Sequence, residues 1–168
     1  MENKLTVLYE DNQVIVVVKP QNVPTQADSS GDVDLLTMVK QYVKEKYDKP
    51  GEAFIGLVHR LDRPTGGVMV FARNSKSAAR LQEQMKSGLF EKKYLAVTVG
   101  VPRDRQGRLS QYLFKDAETN TVKVVPAAVE GAKKAELEYK VLEIADKVAL
   151  VDIKLITGRS HQARVQMQ

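Results

Sequence analysis

The sequence predicts an α+β fold with a largely antiparallel or mixed sheet. Three observations predict it. Strand-like segments outnumber helical ones, and several are joined by turns too short to carry a crossover helix. The 168 residues, 43% of them hydrophobic, suffice for one substantial core and point to a single domain.

Residues 5–10 and 14–19 read as two strands around the turn Asp11-Asn12-Gln13. Val14-Ile15-Val16-Val17-Val18 is continuously β-branched, the pattern of a strand buried on both faces. Pro20 and Pro24 then interrupt regular structure. Leu35, Leu36, Val39, Tyr42, Val43 and Tyr47 recur at helical spacing, so 34–47 is an amphipathic helix stopped by Pro50-Gly51. Residues 59–65 form a loop, and 67–72 a buried strand. Asn74 or Ser75 caps a second helix with Ala78, Leu81, Gln82 and Met85 inward and Lys76, Arg80 and Lys86 outward. Gly88 ends it.

Residues 93–99 form a strand leading to Pro102. The stretch 103–126 is polar and hairpin-like, with turns expected at Gln106-Gly107 and Thr119-Asn120. Two more strands, 134–144 and 148–156, flank Ala145-Asp146-Lys147. In the second, Ala149, Val151, Ile153 and Leu155 alternate with Asp152 and Lys154, giving a buried and a polar face. Thr157-Gly158 turns the chain into a short helix from about Ser160. The sequence stops at Gln168 with no helix terminator, so a truncated sequence is expected.

Composition narrows the chemistry. With no cysteine, disulfides, thiolate metal sites and a cysteine nucleophile are excluded. Two histidines, His59 and His161, make no zinc pattern. No apolar run reaches membrane-spanning length and Met-Glu-Asn-Lys is no signal-peptide start, so a soluble cytoplasmic protein is expected. The net charge of +5 is uneven: residues 60–105 hold 10 basic against 4 acidic residues, a local +6. A polyanionic partner fits that asymmetry.

Three clusters carry candidate chemistry. His59-Arg60-Leu61-Asp62-Arg63-Pro64-Thr65-Gly66-Gly67 sets a carboxylate between two guanidinium groups, followed by two flexible glycines. By itself that run is better described as an ordinary surface ion-pair cluster. Glu91-Lys92-Lys93-Tyr94 opens a strand beside two lysines. Thr157-Gly158-Arg159-Ser160-His161-Gln162-Ala163-Arg164 puts Arg159 at a strand-to-helix turn, where a helix N-terminus and a guanidinium would together suit a phosphate. His161 and Arg164, three residues apart, are expected on one helix face.

In this order and spacing the clusters resemble the RluA-type family of pseudouridine synthases. That family's motifs are His-Arg-Leu-Asp, then Lys or Arg and a Thr-Ser-Gly step, a later Glu-Lys-x-Tyr, and a terminal Thr-Gly-Arg-x-His-Gln-x-Arg. Leu8-Tyr9-Glu10-Asp11 and Val18-Lys19-Pro20 extend the resemblance over nearly the whole chain. It implies one catalytic domain over 1–168, with a bent, mixed, largely antiparallel sheet flanked by helices and its C-terminal part missing. It implies conversion of specific uridines in ribosomal or transfer RNA to pseudouridine, without cofactor or metal, by a monomer whose partner is RNA.

Residue by residue, Asp62 matches the family's catalytic aspartate, acting as nucleophile or as base on a ribose proton. Arg164 matches the arginine that pairs with it, and Tyr94 the tyrosine that stacks on the target base. Arg60 matches the arginine thought to enter the RNA stack when the target nucleotide is flipped out, a step that costs a few kcal/mol of stacking. Arg63, Arg159 and Lys154 are expected RNA contacts, and His59 and His161 structural. The bland readings are a surface salt bridge for Arg60, a half-buried strand residue for Tyr94 and a solvated side chain for Lys154. Gly66 replaces the family's usual Ser, Pro64 stiffens the preceding step, and Gln166 stands where His is frequent. The rival reading is a non-catalytic RNA-binding module of the same fold.

Overall fold

The computed structural model describes residues 5–48 and 50–168. The chain divides into two compact units, Met1–Leu89 and Phe90–Gln168, each built on its own sheet. Every strand pairing among the described residues is antiparallel, and three helices complete an α+β fold.

In the first unit, β1 (Thr6–Glu10) and β2 (Val14–Lys19) form a hairpin. Its turn is fixed by the Asp11 carboxylate, which accepts from the amides of Gln13 at 2.7 Å and Val14 at 2.8 Å. With β4 (Gly67–Ala72) and the two-residue β3 (Gly56–Leu57) the order is β1-β2-β4-β3. The strand β2 is not buried evenly on both faces, as its β-branched run predicts. Ile15, Val17 and Lys19 are wholly buried, whereas Val14, Val16 and Val18 are only half-covered. The core face is closed by α1 (Leu35–Lys46), whose Leu35, Val39 and Val43 pack with Ile15, Val17, Met69 and Phe71. Asp34 caps α1 by accepting from the Thr37 amide at 3.0 Å.

Helix α2 (Ser75–Lys86) starts at the expected cap, with Asn74 accepting from the Ser77 amide at 2.8 Å. Its buried contact is Ser77, whose hydroxyl donates to Gln13 O at 2.7 Å. Ala78, Leu81 and Met85 are half-buried, but Gln82 is exposed, contrary to the sequence expectation. A face anchored through Ser77 is rotated away from Gln82.

In the second unit the order is β5-β9-β8-β6-β7, from β5 (Lys92–Val99), β6 (Gln106–Lys115), β7 (Val122–Val125), β8 (Lys133–Ala145) and β9 (Val148–Leu155). Gln106-Gly107 is the start of β6 rather than a turn, because both residues are registered against Lys140 and Tyr139 of β8. The turn at Asn120 holds, with φ at 53°. The β8–β9 turn holds too, with Asp146 also left-handed. Leu137, Val141, Ala149, Val151 and Ile153 form this unit's core, with Tyr94, Ala163 and Met167 packed against it. Helix α3 runs only over Gln162–Gln166, beginning later than expected, because His161 adopts a left-handed φ of 51°.

Candidate functional site

Asp62 lies half-buried in the loop between β3 and β4, and the backbone on both sides of it is tied down. On the N-terminal side, the Thr25 hydroxyl donates to Leu61 O at 2.7 Å, and its oxygen lies 3.3 Å from the Leu61 amide that donates to it. On the C-terminal side, the wholly buried Lys19 ammonium donates to Arg63 O at 3.0 Å. The same ammonium donates to Val23 O at 2.6 Å and Pro20 O at 3.1 Å, so its three N–H groups meet three carbonyls. Between the clamps the chain turns, with the Thr65 amide donating to Asp62 O at 2.9 Å.

The sequence reason is compact. Leu61 packs against the first core and anchors the loop. Gly66 lets the loop close on β2, because a Cβ there would lie 3.1 Å from Gln21 Cγ and 3.4 Å from Lys19 O. Gly67 follows with φ at 149°.

Electrostatics follow from that packing. Burial holds the Lys19 ammonium below the usual lysine value; the Asp62 carboxylate opposes the shift and the Arg63 guanidinium adds to it. Lys19 is therefore a fixed, buried positive charge that senses Asp62. Arg63, expected to flank the carboxylate, is instead bound to Asp32, donates to Ser30 Oγ at 2.9 Å and lies 3.7 Å from Asp28. Arg60 is exposed and forms no ion pair among the described residues. His59 accepts the Val70 amide on Nε2 at 3.1 Å, a backbone-supporting role.

In the second unit, Tyr94 is half-buried on β5, opposite Ile153 and on the face that joins the core. Lys154 is engaged by Glu91 at 2.7 Å, which raises the Lys154 pKa. The same hydrogen bond, then the charges of Lys154 and Lys93, hold the Glu91 carboxyl below its usual range.

The 157–162 turn is organised by Gln162, which is 2% exposed and uses its whole amide. Its Oε1 accepts from Thr157 Oγ1 at 2.8 Å and from the Arg159 amide at 2.9 Å. Its Nε2 donates to Glu136 O and to Gln166 Oε1, both at 2.9 Å. Gln166, at the position where the resembled family often has His, donates to Gln111 Oε1 at 3.1 Å and Ala135 O at 3.2 Å. The expected phosphate-receptive helix start is thus occupied in part by a side chain of the protein. His161 also lies outside the helix, so its three-residue spacing to Arg164 does not define a shared helical face. Arg159 donates from Nε to Lys134 O at 2.9 Å, and the Lys92 ammonium approaches Gly158. Burial, then the Arg159 charge, pushes the Lys92 pKa down.

Sequence reasoning quoted Lys19 and Gln162 within motifs but gave them no role, and it did not single out Thr25. Lys19 closes a run of five β-branched residues at an inward register position, which is the signal that it is buried. No local pattern marks Thr25, whose partner is 36 residues away.

Comparison with known proteins gives a consistent result. Residues 13–168 match the family model described as RNA pseudouridylate synthase. An uncharacterized RNA pseudouridine synthase of Mycoplasma pneumoniae is 34% identical over 165 residues, 98% of this chain and 51% of that protein. Ribosomal large subunit pseudouridine synthase C of Rickettsia bellii is 33% identical over 159 residues, 94% of this chain and 50% of that protein. The solved structure of human RNA Pseudouridylate Synthase Domain Containing 4 superposes with a TM-score of 0.80 at 28% identity, covering 95% of this chain and 62% of that one. The chain spans about half the length of the curated relatives it matches.

Proposed function

The chain belongs to the RNA pseudouridylate synthase family, on its RluA-type branch, and from this we propose that it converts uridine in RNA to pseudouridine with Asp62 as the catalytic carboxylate. The observation that carries the reading is the double clamp on the Asp62 backbone, from Thr25 on one side and Lys19 on the other. A loop carboxylate that only decorates a surface has no need of a buried ammonium directed at its neighbour's carbonyl.

The reaction is an isomerisation. The bond from N1 of uracil to C1′ of ribose breaks, the base turns, and a bond from C5 to C1′ forms. The C5 proton leaves to solvent and N1 gains one, so no oxidant, reductant or cofactor enters the balance. Asp62 acts either as the nucleophile at C1′ or as the base that removes a ribose proton. By the family resemblance, Tyr94 matches the residue that supplies an aromatic face for the target base, and Arg164 the arginine that pairs with the catalytic aspartate.

Exposed Arg60, with no acid neutralising it among the described residues, suits insertion into the RNA stack as the nucleotide flips out. Arg63, Arg159 and Lys154 are RNA contacts in this reading. Arg63 and Lys154 are already neutralised by acids, so they contribute less to affinity than Arg60 and Arg159. Ribosomal RNA is the first substrate to test, because the Rickettsia relative is named for the ribosomal large subunit; transfer RNA is the second.

The test is tritium release from RNA labelled at C5 of uridine. Wild type should release tritium and Asp62→Ala should not, while RNA binding by the variant survives. Binding without release by wild type, on ribosomal and transfer RNA alike, would establish the binding-module reading instead.

A further inference from the structure

The second unit has an open cavity of about 380 Å³ beside the 157–160 turn; of its lining residues only Arg159 has been given a role above, as an RNA contact. Lys115, Lys133, Gly158, Arg159 and Ser160 line it over the buried Leu113, and no lining residue is acidic. Lys133 lies directly across from Leu113 in the β6–β8 register, and Lys115 is two residues further along β6. Strand alternation therefore puts both ammonium groups on the same sheet face.

Lys93, Arg108, Lys134 and Lys154 each pair with a glutamate, whereas Lys115, Lys133 and Arg159 form no ion pair among the described residues. Arg159 is anchored through Nε to Lys134 O, which fixes the guanidinium plane and leaves its terminal nitrogens for a ligand. The half-buried Lys92 ammonium lies near Gly158 without lining the cavity itself. Burial and, after it, the Arg159 charge disfavour the Lys92 ammonium, and an anion held by Arg159 would offset the second of these.

We propose that this cavity binds a backbone phosphodiester of the RNA, outside the target nucleotide. The proposal rests on RNA as the substrate. The volume exceeds what one phosphate group fills, which leaves room for the adjoining ribose, and the absence of any acidic lining residue suits an anion.

The probe is a fluorescent oligouridylate titrated with the full chain across a range of salt concentrations. Lys115→Ala/Lys133→Ala should bind about tenfold more weakly near physiological salt. Its plot of log affinity against log salt should be shallower by roughly 0.7 for each phosphate no longer neutralised. Lys115→Arg/Lys133→Arg should restore both. Circular dichroism confirms that the variants fold, as substitutions at two exposed side chains should permit. Wild-type affinity and slope in the alanine variant would overturn the proposal. So would equal affinity of the wild-type site for inorganic phosphate, which would make it a free-anion site. Tritium release is measured separately: wild type that binds through the cavity yet releases nothing sinks the synthase reading alone.

Discussion

Asp62 sits on a loop, and a loop holds a charged side chain still only when its backbone is tied down. Here the ties come from Thr25 and Lys19, which reach the residues on either side of Asp62. Lys19→Met keeps the length of the side chain but leaves three carbonyls without their donor. It should lower stability by about 1–3 kcal/mol in urea unfolding. It should also reduce tritium release while leaving RNA affinity near wild type, because the carboxylate loses its position and the RNA-facing arginines remain. Thr25→Val removes one hydroxyl at nearly constant volume and should cost about 1 kcal/mol. If Lys19→Met released tritium at the wild-type rate, the clamp would be structural only.

At the scale of elements, the 157–162 turn depends on one amide whose donors and acceptors are all used. Gln162→Leu should destabilise the protein by about 1–3 kcal/mol, read from the denaturant midpoint. Gln162→Glu should be no better, because a carboxylate cannot donate to Glu136 O and Gln166 Oε1. Glu136 supplies an acid-limb test. Its carboxyl is held below the usual 4.5 chiefly by the Lys134 hydrogen bond; burial opposes this, and the Lys134 charge and then the hydrogen bond and charge of Arg108 add to the lowering. Below about 4.5 the unfolded chain takes up that proton first, so the contribution present above this pH is lost as pH falls through the lowered folded value. Glu136→Gln should flatten this part of the stability–pH curve.

Elements differed in how plainly the sequence announced them. The β1–β2 hairpin, α1, the Asn74 cap and the β8–β9 turn are legible because each is specified by residues within a few positions, although Asp34, read as the first residue of α1, is its cap. The start of β6 was not. Gln106-Gly107 has turn composition, and only pairing with Lys140 and Tyr139, more than thirty residues away, draws it into a strand. The inward face of α2 was legible except at Gln82, because a hydroxyl bond from Ser77 to Gln13 O sets the helix rotation. Periodicity records hydrophobicity and has no term for such a bond.

At the scale of the whole molecule, the excess of positive charge in residues 60–105 gives a measurable expectation. RNA affinity should fall steeply with added salt, as counterions released on binding are restored. An affinity independent of salt would remove phosphate contact as a role for this segment. No described helix is long and apolar enough to cross a membrane.

The sequence alone determined the α+β class, the hairpins, the cap of α2, and the resemblance that singled out Asp62, Tyr94 and Arg164. Those properties reside in neighbouring residues or in ordered motifs, so a linear reading reaches them. Only the tertiary structure decided that Lys19 and Thr25 hold the Asp62 loop, that Arg63 turns to Asp28 and Asp32, and that Gln162 occupies the turn expected to receive phosphate. Each of these depends on a contact made across the fold or on the backbone geometry of one turn. A buried ammonium chooses its carbonyls by distance and by the need to leave no donor unmet, and neither is written in local order.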